Sequence, residues 1–226
     1  MKATSKLEFL SQFPLFDVLT EEELTYLNQC TESKSYKKYD NIYLEGDLSD
    51  SIFFLTKGVL KIATHGHDGR EVIKSILHPH AMFGELGLLG EEKRQSFAEV
   101  MTGPAECLIL KISDFKVLMN QNHQLCLNVI NMVGGKLRKT EQRLESLIFK
   151  DARARIIDFL KDSVEKRGRK VGFEMLLKHT LTQQDIANIT GTSRQTVTSV
   201  LNDLRKSDLI YFNRRSILIR DMQKLA

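Results

Sequence analysis

Apolar positions recur along this chain with more than one period. In residues 33–112, short β-branched and aromatic runs such as "SIFFLTKGVLKIAT", "REVIKSIL", "AEVMT" and "ECLILKI" are punctuated by Gly46, Gly58, Gly66-His67-Asp68-Gly69 and Gly103-Pro104. Strands broken by turns at this spacing predict a small antiparallel β-roll of jelly-roll type. Helices are expected beside it, around residues 21–29 and 114–120. The period then changes. Cys126, Ile130, Val133, Leu137, Thr140, Leu144 and Leu147 are spaced 4, 3, 4, 3, 4, 3 in a stretch without proline, a heptad seam of about three repeats. Gly134-Gly135 interrupts it at about 1 kcal/mol per glycine relative to alanine, which points to a close approach or a bend.

Near the C-terminus the helical period shortens into two pieces. "LTQQDIANIT" reads as a short helix capped by Thr182, with Asp185 three residues on in a capping-box arrangement. Gly191 turns the chain, and Ser193 is a natural N-cap for the next helix. In that helix Val197, Val200, Leu201 and Leu204 form one apolar stripe. Counting from Gln183, Ala187, Gly191 and Val197 fall fifth, ninth and fifteenth, the spacing of a helix-turn-helix. Arg194, Gln195, Thr198 and Ser199 project from the other side near the N-terminus, an exposed polar surface that suits the reading of base edges. After it, two β-type runs, residues 209–212 and 217–219, flank Asn213-Arg214-Arg215-Ser216, a hairpin that makes the motif a winged helix. Thr182, Gln183, Ser193, Arg194, Gln195, Thr198, Ser199, Arg214 and Arg215 are the candidate DNA-contacting residues.

Charge supports that reading once it is divided. The chain has 226 residues and a net charge of +4. Residues 150–226 hold 16 Lys+Arg against 9 Asp+Glu, or +7, and residues 1–149 hold 17 against 20, or −3. The basic portion is the one with the helix-turn-helix, as attraction to phosphate requires. A dimer follows as the expectation for the seam, because two-fold protein symmetry matches a palindromic site. Ile130, Val133, Leu137, Leu144 and Leu147 are its interface candidates, and a helix packed along its own domain would show the same stripe. No stretch has the length of a membrane span and the N-terminus lacks an apolar signal core, so a cytoplasmic protein is expected. Cys30, Cys107 and Cys126 are scattered without metal or disulfide spacing. No catalytic triad or GxxxxGK[ST] loop is present, and no enzyme activity is expected.

Within the predicted roll lies "FGELGLLGEEKRQSFAEV", and with "LTQQDIANITGTSRQTVTSVLNDLRKSDLI" it carries a resemblance that covers nearly the whole chain. The sequence resembles the Crp/Fnr family of bacterial transcription regulators. The resemblance implies an α+β protein: a β-roll sensor domain at residues 1–120, a dimerisation helix at 121–149 and a winged helix-turn-helix at 150–226. It also implies a homodimer on a palindromic operator in double-stranded DNA, with RNA polymerase as a further partner and a cyclic nucleotide as candidate effector. The positions that match the nucleotide-binding members are Gly84, Glu85, Leu86 and Arg94, with Gln95, Ser96 and Thr140 beside them. Two departures are visible. Arg94 is followed by Gln95-Ser96 where cAMP-binding members usually have Ser-Ala, and an ungapped alignment puts Gln95 in the arginine's place. The seam reads Thr140-Glu141 where those members have Thr-Ser.

Two other chemistries remain open at this point. No cysteine precedes Cys30, which argues against an iron–sulfur cluster, but His78 or His80 could ligate a haem in a sensor of the same architecture. His78, His80 and Glu85 also stand at the H-x-H-x4-E spacing of cupin metal enzymes, themselves jelly rolls, although a later histidine ligand is missing.

Overall fold

The computed structural model describes residues 3–225. In chain order it contains α1 (Ala3–Ser11), a 3-10 turn (Pro14–Phe16), α2 (Glu21–Cys30), β1 (Thr31–Tyr36), β2 (Asn41–Tyr43), β3 (Ser51–His65), β4 (Glu71–Leu77) and β5 (Ala81–Phe83). A second 3-10 turn (Glu85–Leu89) leads to β6 (Phe97–Lys111), α3 (Ile112–Gln121), α4 (His123–Phe149) and α5 (Ala152–Arg167). The C-terminal part holds β7 (Arg169–Val171), β8 (Glu174–Lys178), α6 (Gln183–Thr190), α7 (Arg194–Lys206), β9 (Ile210–Phe212) and β10 (Ser216–Ile219).

The roll is one antiparallel sheet in the order β1-β6-β3-β4, with β2 added to β6 and β5 to β3. "AEVMT" and "ECLILKI", expected as separate strands, are one: β6 runs through Gly103-Pro104, and its pairing with β3 shifts register between Leu55 and Leu60. Glycine is required at 103 because an added Cβ would stand 2.5 Å from the Lys38 amide nitrogen.

The unbroken apolar start of β3 is explained by burial on both faces, since successive side chains point to opposite sides. Ile52 and Phe54 join Leu108, Leu110, Phe115 and Leu125 in an outer core with α1, α2, α3 and the start of α4. Phe53 and Leu55 point the other way, into the roll, among Tyr43, Leu60, Phe83 and Val100.

Compact units divide within α4. One contains the residues up to Thr64 with Lys74–Arg138, and the other contains His65–Ile73 with Lys139–Ala226. In the second unit, Arg143 of α4 donates to the Ile73 carbonyl at 2.9 Å and to the Ile189 carbonyl, and the Asn188 amide donates to Glu71 at 3.1 Å. Desolvation by burial pulls the Arg143 pKa down.

The same unit contains a four-stranded antiparallel sheet, β7-β8-β10-β9. The predicted hairpin is β9–β10. Its neighbours β7 and β8 carry no strong alternation in sequence, and their strand state comes from pairing of β8 with β10.

Candidate effector and nucleic-acid sites

In the roll, β5 is followed by Gly84, whose φ of +77° opens the second 3-10 turn. A side chain there would be strained by that φ, and its Cβ would stand 3.0 Å from the Phe53 ring and 3.1 Å from an Arg94 nitrogen. Arg94 is drawn into the roll. Its side chain is 2% exposed; Nη1 donates to the Gly84 carbonyl at 2.9 Å, Nη2 donates to the Ser51 carbonyl, and Glu91 lies 3.6 Å away. The guanidinium lies over the Tyr43 ring at 4.6 Å, and its Nε is buried without a hydrogen-bond partner. Burial pushes the Tyr43 phenol up to about 12, against the opposing pull of Arg94.

The sequence expects Arg94 to offer a fork to phosphate, whereas here both terminal nitrogens serve backbone carbonyls. Arg94→Ala is therefore expected to destabilise the first unit by about 1–3 kcal/mol, the cost of leaving a buried acceptor without a donor. Urea unfolding of the two proteins checks this, and equal midpoints would show that the carbonyls find other donors.

Glu85 is buried and accepts from Lys136 of α4 at 2.7 Å. Ser96 is also buried in the roll. Leu86 is about half exposed, and Gln95 is exposed, with its main chain tied to Glu91 and Lys74. Gln95 does not occupy the buried position that Arg94 takes. Thr140 lies on the part of α4 that belongs to the second unit. The structure thus brings Gly84, Glu85, Arg94 and Ser96 into the roll and leaves Leu86 and Gln95 at its surface. Lys136 is missing from the sequence-based set, because no local pattern ties it to a residue 51 positions earlier.

The H-x-H-x4-E spacing does not assemble a ligand set. The His80 ring stacks on Phe9 at 4.7 Å and Glu85 is paired with Lys136. No group of three or more His, Cys, Asp or Glu side chains that could hold a metal occurs among the described residues.

In the second unit the helix-turn-helix follows from its caps. Thr182 and Asp185 form the reciprocal capping box of α6, Gly191 closes that helix at φ +63°, and the Ser193 hydroxyl accepts from the Thr196 amide at 3.0 Å to start α7. Helix α7 buries Val197, Val200, Leu201 and Leu204 and exposes Arg194, Gln195 and Ser199. Thr198 is engaged, since its hydroxyl donates to Gln183 at 2.7 Å and so ties α7 to the first turn of α6.

Arg155 of α5, which sequence spacing does not single out, anchors the turn by donating to the Thr190 and Gly191 carbonyls at 2.9 and 3.2 Å. At the wing, the Asn213 side chain accepts from the Arg215 and Ser216 amides and leaves Arg214 and Arg215 exposed. A concavity of about 730 Å³ runs between these parts, lined by His179, Thr182, Gln183, Arg194, Asn213 and Arg214 among others. Desolvation by burial lowers the His179 pKa, with a smaller contribution from Arg167.

The seam helix carries two apolar rows rather than one. Ile130, Leu137 and Leu144 are 58–64% exposed, and Leu127, Leu147, Ile148 and Phe149 are also exposed. Val133 instead packs against the outer core of the first unit, and the Cys126 thiol donates to the Met119 carbonyl. Leu147 also lies beside the helix-turn-helix, where a Cβ on Gly191 would be 3.1 Å from its Cδ2.

These features have counterparts in known proteins. A cyclic nucleotide-binding domain model matches residues 33–122, and a Crp-like helix-turn-helix domain model matches residues 154–226. The CRP-like cAMP-activated global transcriptional regulator of Mycobacterium tuberculosis is 26% identical over 219 residues, covering 97% of each chain. The global nitrogen regulator of a Nostoc species is 26% identical over 187 residues, 82% of this chain and 84% of that one. Among solved structures, a CooA mutant from Carboxydothermus hydrogenoformans superposes with a TM-score of 0.79 at 25% identity over 97% of both chains. With a β-roll, a long helix and a capped winged helix-turn-helix in this order, the chain belongs to the Crp/Fnr family, whose members are transcription regulators and not enzymes.

Proposed function

We propose that this regulator works as a homodimer that places its two α7 helices in the major groove of a palindromic operator, under the control of a cyclic nucleotide held in the roll. The observation that carries the DNA reading is the N-terminal end of α7. It is capped and rigidly seated on a buried stripe, yet it presents Arg194, Gln195 and Ser199 to solvent in the basic part of the chain. Arg214 and Arg215 on the wing are positioned for phosphate, and Thr182 and Gln183 stand at the N-terminus of α6, where amides and helix dipole attract anions.

The dimer rests on the exposed row of α4, since three leucine or isoleucine side chains at seven-residue intervals, Ile130, Leu137 and Leu144, have no cover in the single chain. Gly134 falls within this row and permits close approach of a second helix. Val133 is not part of the seam we assign.

The effector assignment is supported by the cyclic nucleotide-binding match, by relatives named as cAMP-activated, and by the gathering of Gly84, Glu85, Arg94 and Ser96. A phosphate would have to draw Arg94 from one of its carbonyls, and the loss of that bond supplies a way for ligand to move the Gly84 loop. RNA polymerase is the further partner we assign, with the cytoplasm as the place of action. No helix among the described residues is long and apolar enough to cross a membrane.

A binding-site selection followed by titration calorimetry tests the proposal. Selection should return a two-fold site with half-site centres about one helical turn, 34–36 Å, apart. Cyclic AMP or cyclic GMP should bind with measurable heat and change operator affinity by about 5 to 150-fold. An asymmetric selected site would overturn the dimeric reading. Absence of heat from both nucleotides would overturn the effector assignment and leave the DNA reading intact.

A further inference from the structure

The β3–β4 hairpin has its strands and its tip in different compact units. Residues 65–73 are grouped with the helix-turn-helix, whereas the rest of β3 and β4 belongs to the roll. The tip is held in shape by its own bonds. The Gly66 amide donates to the Arg70 carbonyl at 2.8 Å, the Gly69 amide to the Gly66 carbonyl at 2.9 Å, and the Arg70 amide to the Asp68 carboxylate at 3.1 Å. Ile73, which follows, is fully buried and belongs neither to the outer core nor to the core inside the roll.

Two sets of hydrogen bonds tie this tip to α6. A single nitrogen of Arg143, Nη2, donates both to the Ile73 carbonyl of β4 and to the Ile189 carbonyl of α6. Ile189 lies in the last turn of α6, where the final carbonyls find no donor within the helix. Arg143 satisfies this one, and Arg155 of α5 satisfies the next, at Thr190. The second set starts from Gln184, whose amide donates to the Asn188 side-chain oxygen at 2.8 Å. The Asn188 nitrogen then donates to the Glu71 carboxylate at 3.1 Å. Asn188 is thereby oriented, with its oxygen toward Gln184 and its nitrogen toward the hairpin.

We propose that Arg143 and the Glu71–Asn188 pair are positioning residues that make the hairpin tip a working part of the DNA-binding unit, so that α6, and α7 tied to it through Thr198 and Gln183, move with β3 and β4. The far end of this path is covalent. β3 begins at Ser51, whose carbonyl accepts from Arg94, and runs without a break to His65 at the tip. A ligand that draws Arg94 from Ser51 therefore acts on the first residue of a strand whose last residue is held with the helix-turn-helix. The link between hairpin and α6 stands without an effector, and its use in control rests on the cyclic-nucleotide reading.

Hydrogen exchange of the full chain, followed by mass spectrometry with and without the selected operator, tests the link itself. Coupling between sites is reciprocal, so operator on α7 should slow exchange in the hairpin peptides as well as in α7. Asn188→Asp sets two carboxylates against each other and should abolish the hairpin response while α7 still responds. Adding Glu71→Gln supplies a donor from the other side and should bring the hairpin response back, a rescue that general destabilisation would not show. Arg143→Met, which has no donor, should abolish the response as well. A hairpin that ignores operator in the parent protein would overturn the proposal, as would an unchanged response in Asn188→Asp or no rescue by Glu71→Gln. Operator titrations with and without cyclic AMP then test the use of the link. The parent's nucleotide response, about 5 to 150-fold, should fall to about twofold or less in Asn188→Asp while the calorimetric heat of nucleotide binding is kept, and a response of full size in that variant would overturn the proposed path. Absence of nucleotide heat in the parent would overturn the effector assignment alone, and the exchange results would still decide the link.

Discussion

Leu137→Asp is expected to yield monomers that bind a palindromic operator about 10²–10⁴-fold more weakly than the parent protein. Leu137 is 58% exposed in the single chain, in the middle of the row that runs from Ile130 to Leu144. An exposed aspartate costs the isolated helix little, so the chain should still fold. In a two-fold helix pair, however, the substitution brings two carboxylates face to face in a dry seam, where uncompensated charge is strongly unfavourable. The loss in operator affinity follows from the loss of linkage, because a dimer places its second recognition helix at high effective concentration once the first has bound. Analytical ultracentrifugation and operator titration across a range of protein concentrations check both parts. Val133→Asp supplies a contrast. Val133 packs on the core of its own unit, so its loss should appear first as lowered thermal stability of the first unit. An unchanged sedimentation coefficient for Leu137→Asp would move the interface off this row.

Arg194→Ala is expected to lower affinity for the selected operator by about 1–3 kcal/mol and to relax base preference at one position of each half-site. Arg194 opens α7 directly after the Ser193 cap and is exposed, so its guanidinium can reach the O6 and N7 atoms of a guanine with two parallel hydrogen bonds. Truncation removes that recognition without disturbing the buried face of α7. Arg214→Ala should behave differently. A wing arginine on phosphate carries no base information, so its removal should weaken binding to all sequences alike and reduce the slope of log affinity against log salt by about one. Competition assays with a randomised half-site, repeated at several salt concentrations, separate the two outcomes. Retained base preference in Arg194→Ala would place the reading face elsewhere on α7.

Gln195 stands next in line. It is an exposed amide capable of a bidentate pair with adenine. Thr198 is a weaker candidate than its spacing suggests, because its hydroxyl is already given to Gln183.

The helix-turn-helix was legible in the sequence because every determinant of it is local. The Thr182–Asp185 box, the left-handed turn at Gly191, the Ser193 cap and the apolar stripe of α7 all act within about one or two turns of the chain, where spacing alone sets geometry. The roll was legible as a class for a similar reason, since β-branched runs punctuated by turns admit few other arrangements. Tertiary structure decided what depends on chain segments meeting from afar. Arg94 was read from its distance to Gly84, but its capture by the Ser51 carbonyl, 43 residues away, follows only from the pairing of β3 and β5 and the path of the following loop. The Lys136–Glu85 pair, 51 residues apart, and the hold of Arg155 on Thr190, 35 residues apart, have no local signature at all. Helix α4 shows the limit most plainly. Its periodicity announces apolar rows, but a helix carries its rows around a cylinder, and only the position of the roll decides that Val133 turns to its own core while Ile130, Leu137 and Leu144 are left for another surface.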